Sequence, residues 1–203
     1  MTTSATALRS IAPPAPDRPD AGLVLASLWH TEGRWRQERV MSGVMDAWER
    51  TLLPAAYLAR HCLAGSDGRT VLNFAQWTTS AAHRAFAAEP GNQQTLGAAV
   101  RALYSADPPG RYVPHRAVRR QDAVARCYTA TWYDTQDAAS ARSLADDPAH
   151  AGAGHAEPAA ATYFYLREDG RRLFVLAGFP GEPVGAELWF RPYRGLVRPA
   201  GKR

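Results

Sequence analysis

Two sequence features occur twice, about half a chain apart, and this duplication limits the folds open to the protein. Trp29 in the segment LASLWHT is followed 103 residues later by Trp132 in YTATWYDT. The turn sequence DGR at 67–69 recurs 102 residues later at 169–171. Because two independent features agree within one residue, the sequence predicts two copies of one structural unit within its 203 residues.

The first copy has the pattern of a mixed α and β unit. Apolar, β-rich segments predict strands at 22–31, 57–63, 69–77 and 111–118. Apolar residues at helical spacing predict a helix that ends before Pro54, and two shorter helical pieces lie at 79–86 and around 96–104. The order β-α-β-β-α-β is that of a ferredoxin-like domain.

The second copy repeats this order with its second helix nearly missing. Strands are expected at 126–134, 161–167, 171–179 and 186–194, a helix at 135–146, and a loop at 152–158. Since one such sheet leaves a face uncovered, we expect the copies to pack sheet against sheet within one chain. The predicted fold is α+β, with a disordered Pro/Ala-rich tail at 1–20, a first repeat at 21–120 and a degenerate second repeat at 121–203.

Composition excludes several classes of protein. The chain is 46% hydrophobic and 21% charged, which suits a packed globular core. No apolar run approaches the roughly 20 residues that span a bilayer, and residues 1–20 lack the apolar stretch of a signal peptide. The net charge is +5 with scattered arginines, and we expect no nucleic-acid or membrane partner. Cys62 and Cys127 have no CxxC spacing, so we expect buried thiols and a cytoplasmic location.

The strand at 69–77 carries the strongest candidate site. Because side chains alternate along a strand, Asn73, Ala75 and Trp77 share one face, with a small residue between two hydrogen-bond donors. The second copy has valine, alanine and phenylalanine at 175, 177 and 179, which keeps the small residue and loses both donors. The site is therefore expected in the first copy alone, between the sheet and its helices.

The segment 61–86, with GSDGRTVLNFAQW followed by TTSAAHRAF, is similar to the antibiotic biosynthesis monooxygenase family. This resemblance implies a dimeric α+β barrel that oxidises an anthrone-type phenolic ring to a quinone with molecular oxygen and no cofactor. It also implies that Asn73 and Trp77 are the family's site pair. A tyrosine that the family often has six residues after the Trp is replaced here by His83, a candidate for proton transfer.

Further candidates follow from the chemistry of such an oxidation, which needs donors to a substrate anion and a base. Imidazoles titrate near neutral pH, and a guanidinium can hold an anion. The bulky side chains of Met45 and Trp48 on the first helix either pack in the core or form part of the wall of the pocket. The candidate base is His83, His61 or His30, and the candidate substrate contacts are Arg60, His61, His30, Trp48 and Met45.

Other functions remain open on the sequence alone. His30 and Glu32 match part of an iron site without a specified third ligand, and the dinucleotide, P-loop, zinc-protease and hydrolase motifs are missing. We expect an aromatic polyketide as the small-molecule partner and no metal or other cofactor. The alternatives are a polyketide cyclase and a non-catalytic binding protein of the same fold. Pairing of the chain into a homodimer stays open.

Overall fold

The computed structural model describes residues 9–11, 13–92, 101–106, 108–120, 123–147 and 158–199. Within these ranges the chain forms ten strands, three α-helices described over their full length and a short 3₁₀ turn at Arg101–Leu103, and residues 90–92 are also helical. The strands are β1 (Arg9–Ile11), β2 (Leu23–His30), β3 (Tyr57–Gly65), β4 (Thr70–Trp77), β5 (Ser105–Ala106), β6 (Gly110–Arg119), β7 (Cys127–Asp134), β8 (Ala161–Arg167), β9 (Arg172–Phe179) and β10 (Phe190–Val197). The helices are α1 (Arg34–Glu49), α2 (Ser80–Ala88) and α3 (Ala138–Asp146).

Eight of the strands close into an antiparallel barrel. Their order is β10-β3-β4-β2-β6-β8-β9-β7, and the ring is completed where Tyr128 in β7 pairs with Phe190 in β10. The two-residue β5 pairs with part of β2, and β1 pairs with β10. A closed sheet leaves no long strand edge unpaired, which removes a common site of aggregation.

The two halves of the chain use the same strand order. The first half runs β3-β4-β2-β6 and the second runs β8-β9-β7-β10, which is consistent with a ferredoxin-like arrangement in each. The halves share an interior core of aromatic and aliphatic residues, as expected for two sheets facing each other. They are also hydrogen-bonded edge to edge through β6–β8 and β10–β3, which the sequence did not predict.

The helix α1 covers the outer face of the first half because its apolar residues lie on one side. Val40, Val44 and Trp48 are buried at a spacing of four, in a cluster with residues of β2 and β4. Gln37 ties the helix to the β3–β4 turn, since its Nε2 donates to the carbonyl oxygens of Gly65 and Thr70 at 3.1 and 2.7 Å. The short α2 begins as predicted at Thr79, whose side chain accepts from the backbone N–H of Ala82.

The two DGR turns have matching geometry. Gly68 and Gly170 adopt φ values of 67° and 71°, in the left-handed region that favours glycine. In each turn the preceding aspartate accepts from a backbone N–H two residues on, at 2.9 Å. The predicted hairpins are therefore confirmed, and the origin of the two halves as repeats of one unit stays a prediction.

Residues 13–20 do not form the disordered tail that their composition predicted. Pro14 and Pro16 are buried, and Gln76 Nε2 donates to the carbonyls of Ala15 and Pro16 at 3.1 Å each. Tyr165 also donates its hydroxyl to Pro16 at 2.9 Å. Proline lacks an N–H, so hydrogen bonds to these carbonyl oxygens remove much of the cost of packing the proline residues against the barrel.

The other predicted elements are mostly confirmed, with two differences in their limits. The last strand was placed at 186–194 and is Phe190–Val197, since residues 186–189 lie before the pairing with β3 begins. The helix expected from 135 starts at Ala138, after the cap residue Asp137. The piece expected around 96–104 and the loop at 152–158 fall mainly outside the described residues. None of the helices that the structure describes is long and apolar enough to cross a membrane.

Candidate functional site

The site lies on the outer face of β4, as the alternation of its side chains predicts. Asn73 and Ala75 face α1 and α2, whereas Leu72 and Phe74 belong to the core inside the barrel. A cavity of about 640 Å³ opens between this face and the helices. Its wall is formed by Leu25, Ser27, Trp29, Val44, Trp48, Arg60, Asn73, Ala75, His83, Phe86, Ala87, Asn92, Tyr104, Ala106, Pro108 and Pro109. The wall is thus mainly apolar and aromatic, with a few polar groups, as is usual for small-molecule sites.

A polar pair lies at the sheet side of this cavity. Ser27 in β2 is directly opposite Asn73 in β4, and its Oγ accepts from Asn73 Nδ2 at 3.3 Å and from Trp29 Nε1 at 3.1 Å. With both lone pairs of Ser27 used, its hydroxyl hydrogen remains for donation. Asn73 Oδ1 is buried with no hydrogen-bond partner in the described structure. The pair therefore offers a donor and an acceptor to a ligand.

Arg60 provides a buried positive charge at the cavity. It is 9% exposed, and its guanidinium lies 4.4 Å from the Trp48 ring centre and 5.4 Å from that of Trp29. Among the described residues it forms no ion pair with a carboxylate, and its Nε has no hydrogen-bond partner. Burial lowers the pKa of Arg60, but a guanidinium stays protonated in proteins. A buried cation flanked by aromatic faces and lacking a carboxylate is suited to an anionic ligand.

His83 on α2 also lines the cavity, and its ring is held in one tautomer. Arg111 Nη1 lies 2.8 Å from His83 Nδ1, and because arginine only donates, Nδ1 must accept and Nε2 must carry the hydrogen. Burial, together with the charges of Arg111 and Arg60, lowers the pKa of His83 to about 4. At neutral pH the free side of His83 is therefore an N–H donor, and the expected role of His83 as general base stays a prediction that this arrangement does not favour.

Trp77 stands behind the cavity wall. Its side chain is fully buried, and its ring contacts His83 and Phe86 with centroid distances of 5.0 and 5.1 Å and meets Tyr57 edge-on at 5.5 Å. Its Nε1 has no hydrogen-bond partner in the described part of the chain. Trp77 thus supports two residues of the wall, and its expected role as a donor to substrate stays a prediction.

The other candidates divide according to the face on which they lie. Arg60 and Trp48 line the cavity as expected. His61 does not, because it is one residue from Arg60 on β3 and its side chain is buried on the opposite face, where burial lowers its pKa to about 4. His30 lies at another surface pocket at the barrel mouth, and Met45 is enclosed in the core under α1. These three are corrections to the expected substrate contacts.

Among the lining residues that sequence reasoning missed, three bear on the geometry of the site. Ser27 could have been found, since the alternation on β2 places it on the same face as Leu25 and Trp29, but its pairing with Asn73 depends on strand register. Trp29 was interpreted as packing and also bonds Ser27. Tyr104, which stacks on Trp29 with a ring distance of 4.7 Å, was assigned to the helical piece around 96–104, and that pattern does not indicate a contact with β2.

Cysteine and metal predictions can also be compared with the described residues. Cys62 and Cys127 are both free and buried, as expected. The described ranges contain no group of three or more His, Cys, Asp or Glu side chains that could hold a metal ion.

The sequence matches no protein-family model and no curated protein, whereas solved structures share its fold. A protein described as anthrone oxidase-like superposes with a TM-score of 0.68 at 12% identity, covering 94% of this chain and 97% of that one. A candidate monooxygenase from Fusobacterium nucleatum gives a TM-score of 0.56 at 8% identity, covering 88% and 95%. A Streptomyces coelicolor monooxygenase solved with nanaomycin D gives 0.44 at 24% identity, covering 53% of this chain and all of that one.

The chain therefore has the same α+β barrel fold as the anthrone oxidase-like structure, over nearly the whole length of both chains. Identities at this level establish a common architecture. A shared fold does not determine function, so the function of the cavity depends on its own residues.

Proposed function

We propose that the protein is a cofactor-independent monooxygenase that oxidises an anthrone-type or phenolic aromatic polyketide intermediate to a quinone with molecular oxygen. The observation that carries this proposal is that Arg60 and Asn73, which both line the cavity, each bury a polar atom, Nε and Oδ1 respectively, without a hydrogen-bond partner among the described residues. Buried polar groups normally have partners, and those that lack one often mark a functional site.

The apolar part of the cavity suits a flat ring system. Trp29, Trp48, Tyr104 and Phe86 supply aromatic surface around a volume of about 640 Å³, which lies within the range of about 300–1,000 Å³ typical of small-molecule sites. Such surfaces favour stacking of a polycyclic aromatic ligand. Asn73 Oδ1 would accept a hydrogen bond from a phenolic hydroxyl.

The polar groups suit the anion through which such a substrate reacts. Loss of a proton from the carbon opposite the anthrone carbonyl gives an anion with charge on the carbonyl oxygen. The Arg60 cation, the Ser27 hydroxyl and the His83 Nε2–H would stabilise that charge in a water-poor site. Since His83 does not act as the base, stabilisation of the anion lowers the substrate's own pKa and water at the cavity mouth takes the proton.

The reaction that follows balances without a cofactor. The carbanion reduces molecular oxygen and forms a carbon–oxygen bond, giving a hydroperoxide at the former methylene carbon. Loss of water from this hydroperoxide leaves a carbonyl group. The net change is that one CH₂ and one O₂ become one C=O and one H₂O, so the substrate supplies all the electrons.

The test is oxidation of 1,8-dihydroxyanthrone in air, in buffer treated with a metal chelator and without flavin. We expect consumption of one O₂ per quinone formed, measured with an oxygen electrode and by quinone absorbance, well above the rate of spontaneous oxidation. Heat-denatured protein is the control. Binding of anthrones without oxygen uptake would overturn the proposal and favour the cyclase or binding-protein alternative, and a requirement for added metal or flavin would exclude cofactor-free oxidation.

A further inference from the structure

A chain of hydrogen bonds connects His83 to the second half of the molecule. Arg111 in β6 donates from Nη1 to His83 Nδ1 at 2.8 Å and from Nε to Glu168 at 3.0 Å. Its Nη2 donates to the carbonyl and hydroxyl oxygens of Ser80 at 3.1 and 2.6 Å. All three guanidinium nitrogens are therefore bonded, which fixes the plane of the group.

Glu168 follows β8, so it belongs to the other half of the barrel. Its backbone N–H donates to the Arg111 carbonyl at 2.9 Å, which anchors the two residues where β6 and β8 pair. Burial raises the pKa of Glu168, and hydrogen bonds from Ser80 and Arg111 outweigh this and lower it. The carboxylate therefore stays charged at neutral pH and holds Arg111 in place.

We propose that Arg111 and Glu168 are positioning residues that hold His83 as an Nε2–H donor facing the cavity. This inference rests on the proposed function for its effect on the rate, while the tautomer itself follows from the hydrogen-bond geometry. It gives the second half of the chain a part in the site, although that half lacks an equivalent of Asn73. The role is chemical because a histidine released from Arg111 could change tautomer or take a second proton.

The charged groups around His83 come from four places. Arg111 lies on β6, Arg60 on β3, Glu168 after β8, and Arg84 on α2 itself. Arg84 also contacts Glu168, at 3.1 Å, but its side chain is 67% exposed and its ion pair is with the carboxylate and not with the imidazole. Arg84→Met is thus a matched control, because Arg84 also contacts Glu168 and forms no hydrogen bond with His83 Nδ1.

The experiment compares Arg111→Met, Glu168→Gln and Arg84→Met with the unaltered protein. Long-range ¹H–¹⁵N NMR on histidine-labelled protein reports the tautomer and the pKa of His83, with His83→Gln used for assignment. In the unaltered protein and in Arg84→Met we expect the Nε2–H form and no titration of His83 between pH 5.5 and 8. In Arg111→Met we expect a pKa moved toward the ordinary 6.5. In Glu168→Gln we expect a partial loss of the Nε2–H tautomer without a rise in the pKa, because the Glu168 carboxylate itself raises the pKa of His83.

The rate should follow the NMR result. For Arg111→Met we expect kcat/KM to fall about tenfold at pH 7 and to gain a new acidic limb, less than the roughly 10²–10³ typical for loss of a direct donor. Thermal melting shows whether a variant still folds. If Arg111→Met does not fold, Glu168→Gln provides the test of the inference. An Nδ1–H tautomer in the unaltered protein, or the same tautomer and pKa in Arg111→Met, would overturn the inference. The NMR readout needs no turnover, so it stands apart from a failure of the oxygenase proposal.

Discussion

The outer faces of β4 and β9 occupy equivalent places in the two halves, yet one lines a cavity and the other is packed. Asn73 on β4 lies opposite Ser27, and in the same register Val175 on β9 lies opposite Thr131. Val175 packs with Phe164 in an apolar cluster under α3. Asn73 instead borders a hollow of about 640 Å³. The same strand pairing therefore supports either a filled core or an open site, depending on a few side chains.

The neighbouring strand shows the same contrast. Arg60 and Cys62 on β3 lie opposite Ala75 and Asn73, and the corresponding residues on β8 are Thr162 and Phe164. Phe164 and Cys62 are both fully buried, and the phenylalanine is the larger side chain. The first half is thus packed less completely around its cavity, and it buries the Arg60 cation without a carboxylate partner among the described residues. Both features lower the stability of the folded protein. Such a cost is typical of a site built for a ligand.

Replacing the buried charge should have the largest effect. For Arg60→Met we expect the oxidation rate to fall by roughly 10²–10³ because the anion loses its counter-charge. Stability should rise, by up to about 1–3 kcal/mol, because an unpaired buried cation is replaced by an apolar side chain. Oxygen uptake and thermal melting measure the two effects. Thr162→Val, the matched change in the second half, should leave the rate unchanged, and a rate loss there would break the comparison.

The next test exchanges Asn73 for valine, which is the residue at the equivalent position of the second half, Val175. Asn73→Val should slow oxidation by about a hundredfold, with stability changed by less than about 1 kcal/mol because an unpartnered buried oxygen is removed along with a weak hydrogen bond. The reciprocal Val175→Asn should keep activity and lose about 1–3 kcal/mol on burying an unpaired amide. Urea unfolding and steady-state kinetics on both variants distinguish these outcomes. Equal rate losses in the two would contradict a site confined to the first half.

The third test replaces Trp77 by phenylalanine, which is the residue at the equivalent position of the second half, Phe179. Because Trp77 acts through its contacts with His83 and Phe86, we expect Trp77→Phe to reduce kcat/KM by no more than about tenfold, less than the loss of a direct donor. The measurement is the same oxidation assay, with Phe179→Leu as the control in the other half. A loss as large as that of Asn73→Val would instead show that the indole N–H reaches the substrate.

The last prediction concerns the pH dependence of stability and not the oxidation rate. Burial lowers the pKa of His61 to about 4, and the ordinary value applies in the unfolded chain. Between pH 6.5 and 4 the unfolded state therefore binds the extra proton, so the free energy of unfolding should fall as the pH falls through this window. His61→Leu should flatten that part of the curve, as measured by urea unfolding at several pH values. An unchanged slope would show that His61 is not buried in its neutral form.

Local patterns predicted the elements and the face on which the site lies, and long-range contacts explain what was missed. Alternation along β4 placed Asn73 and Ala75 together because it depends only on neighbouring residues. The tautomer of His83 could not be predicted because its partner Arg111 is 28 residues away on another strand. His61 was included since strand register was unknown, and the Pro-rich residues 13–20 were misjudged because Gln76 and Tyr165 cover their carbonyls.

The central claim is that one hollow, in the first half, binds the aromatic anion. An anaerobic calorimetric titration with 1,8-dihydroxyanthrone tests it directly, since binding is then separated from oxidation. The account predicts one ligand per chain for the unaltered protein and for Thr162→Val, and binding weakened at least about tenfold, roughly 1.4 kcal/mol, in Arg60→Met. Two ligands per chain, or equal affinity in Arg60→Met, would contradict it.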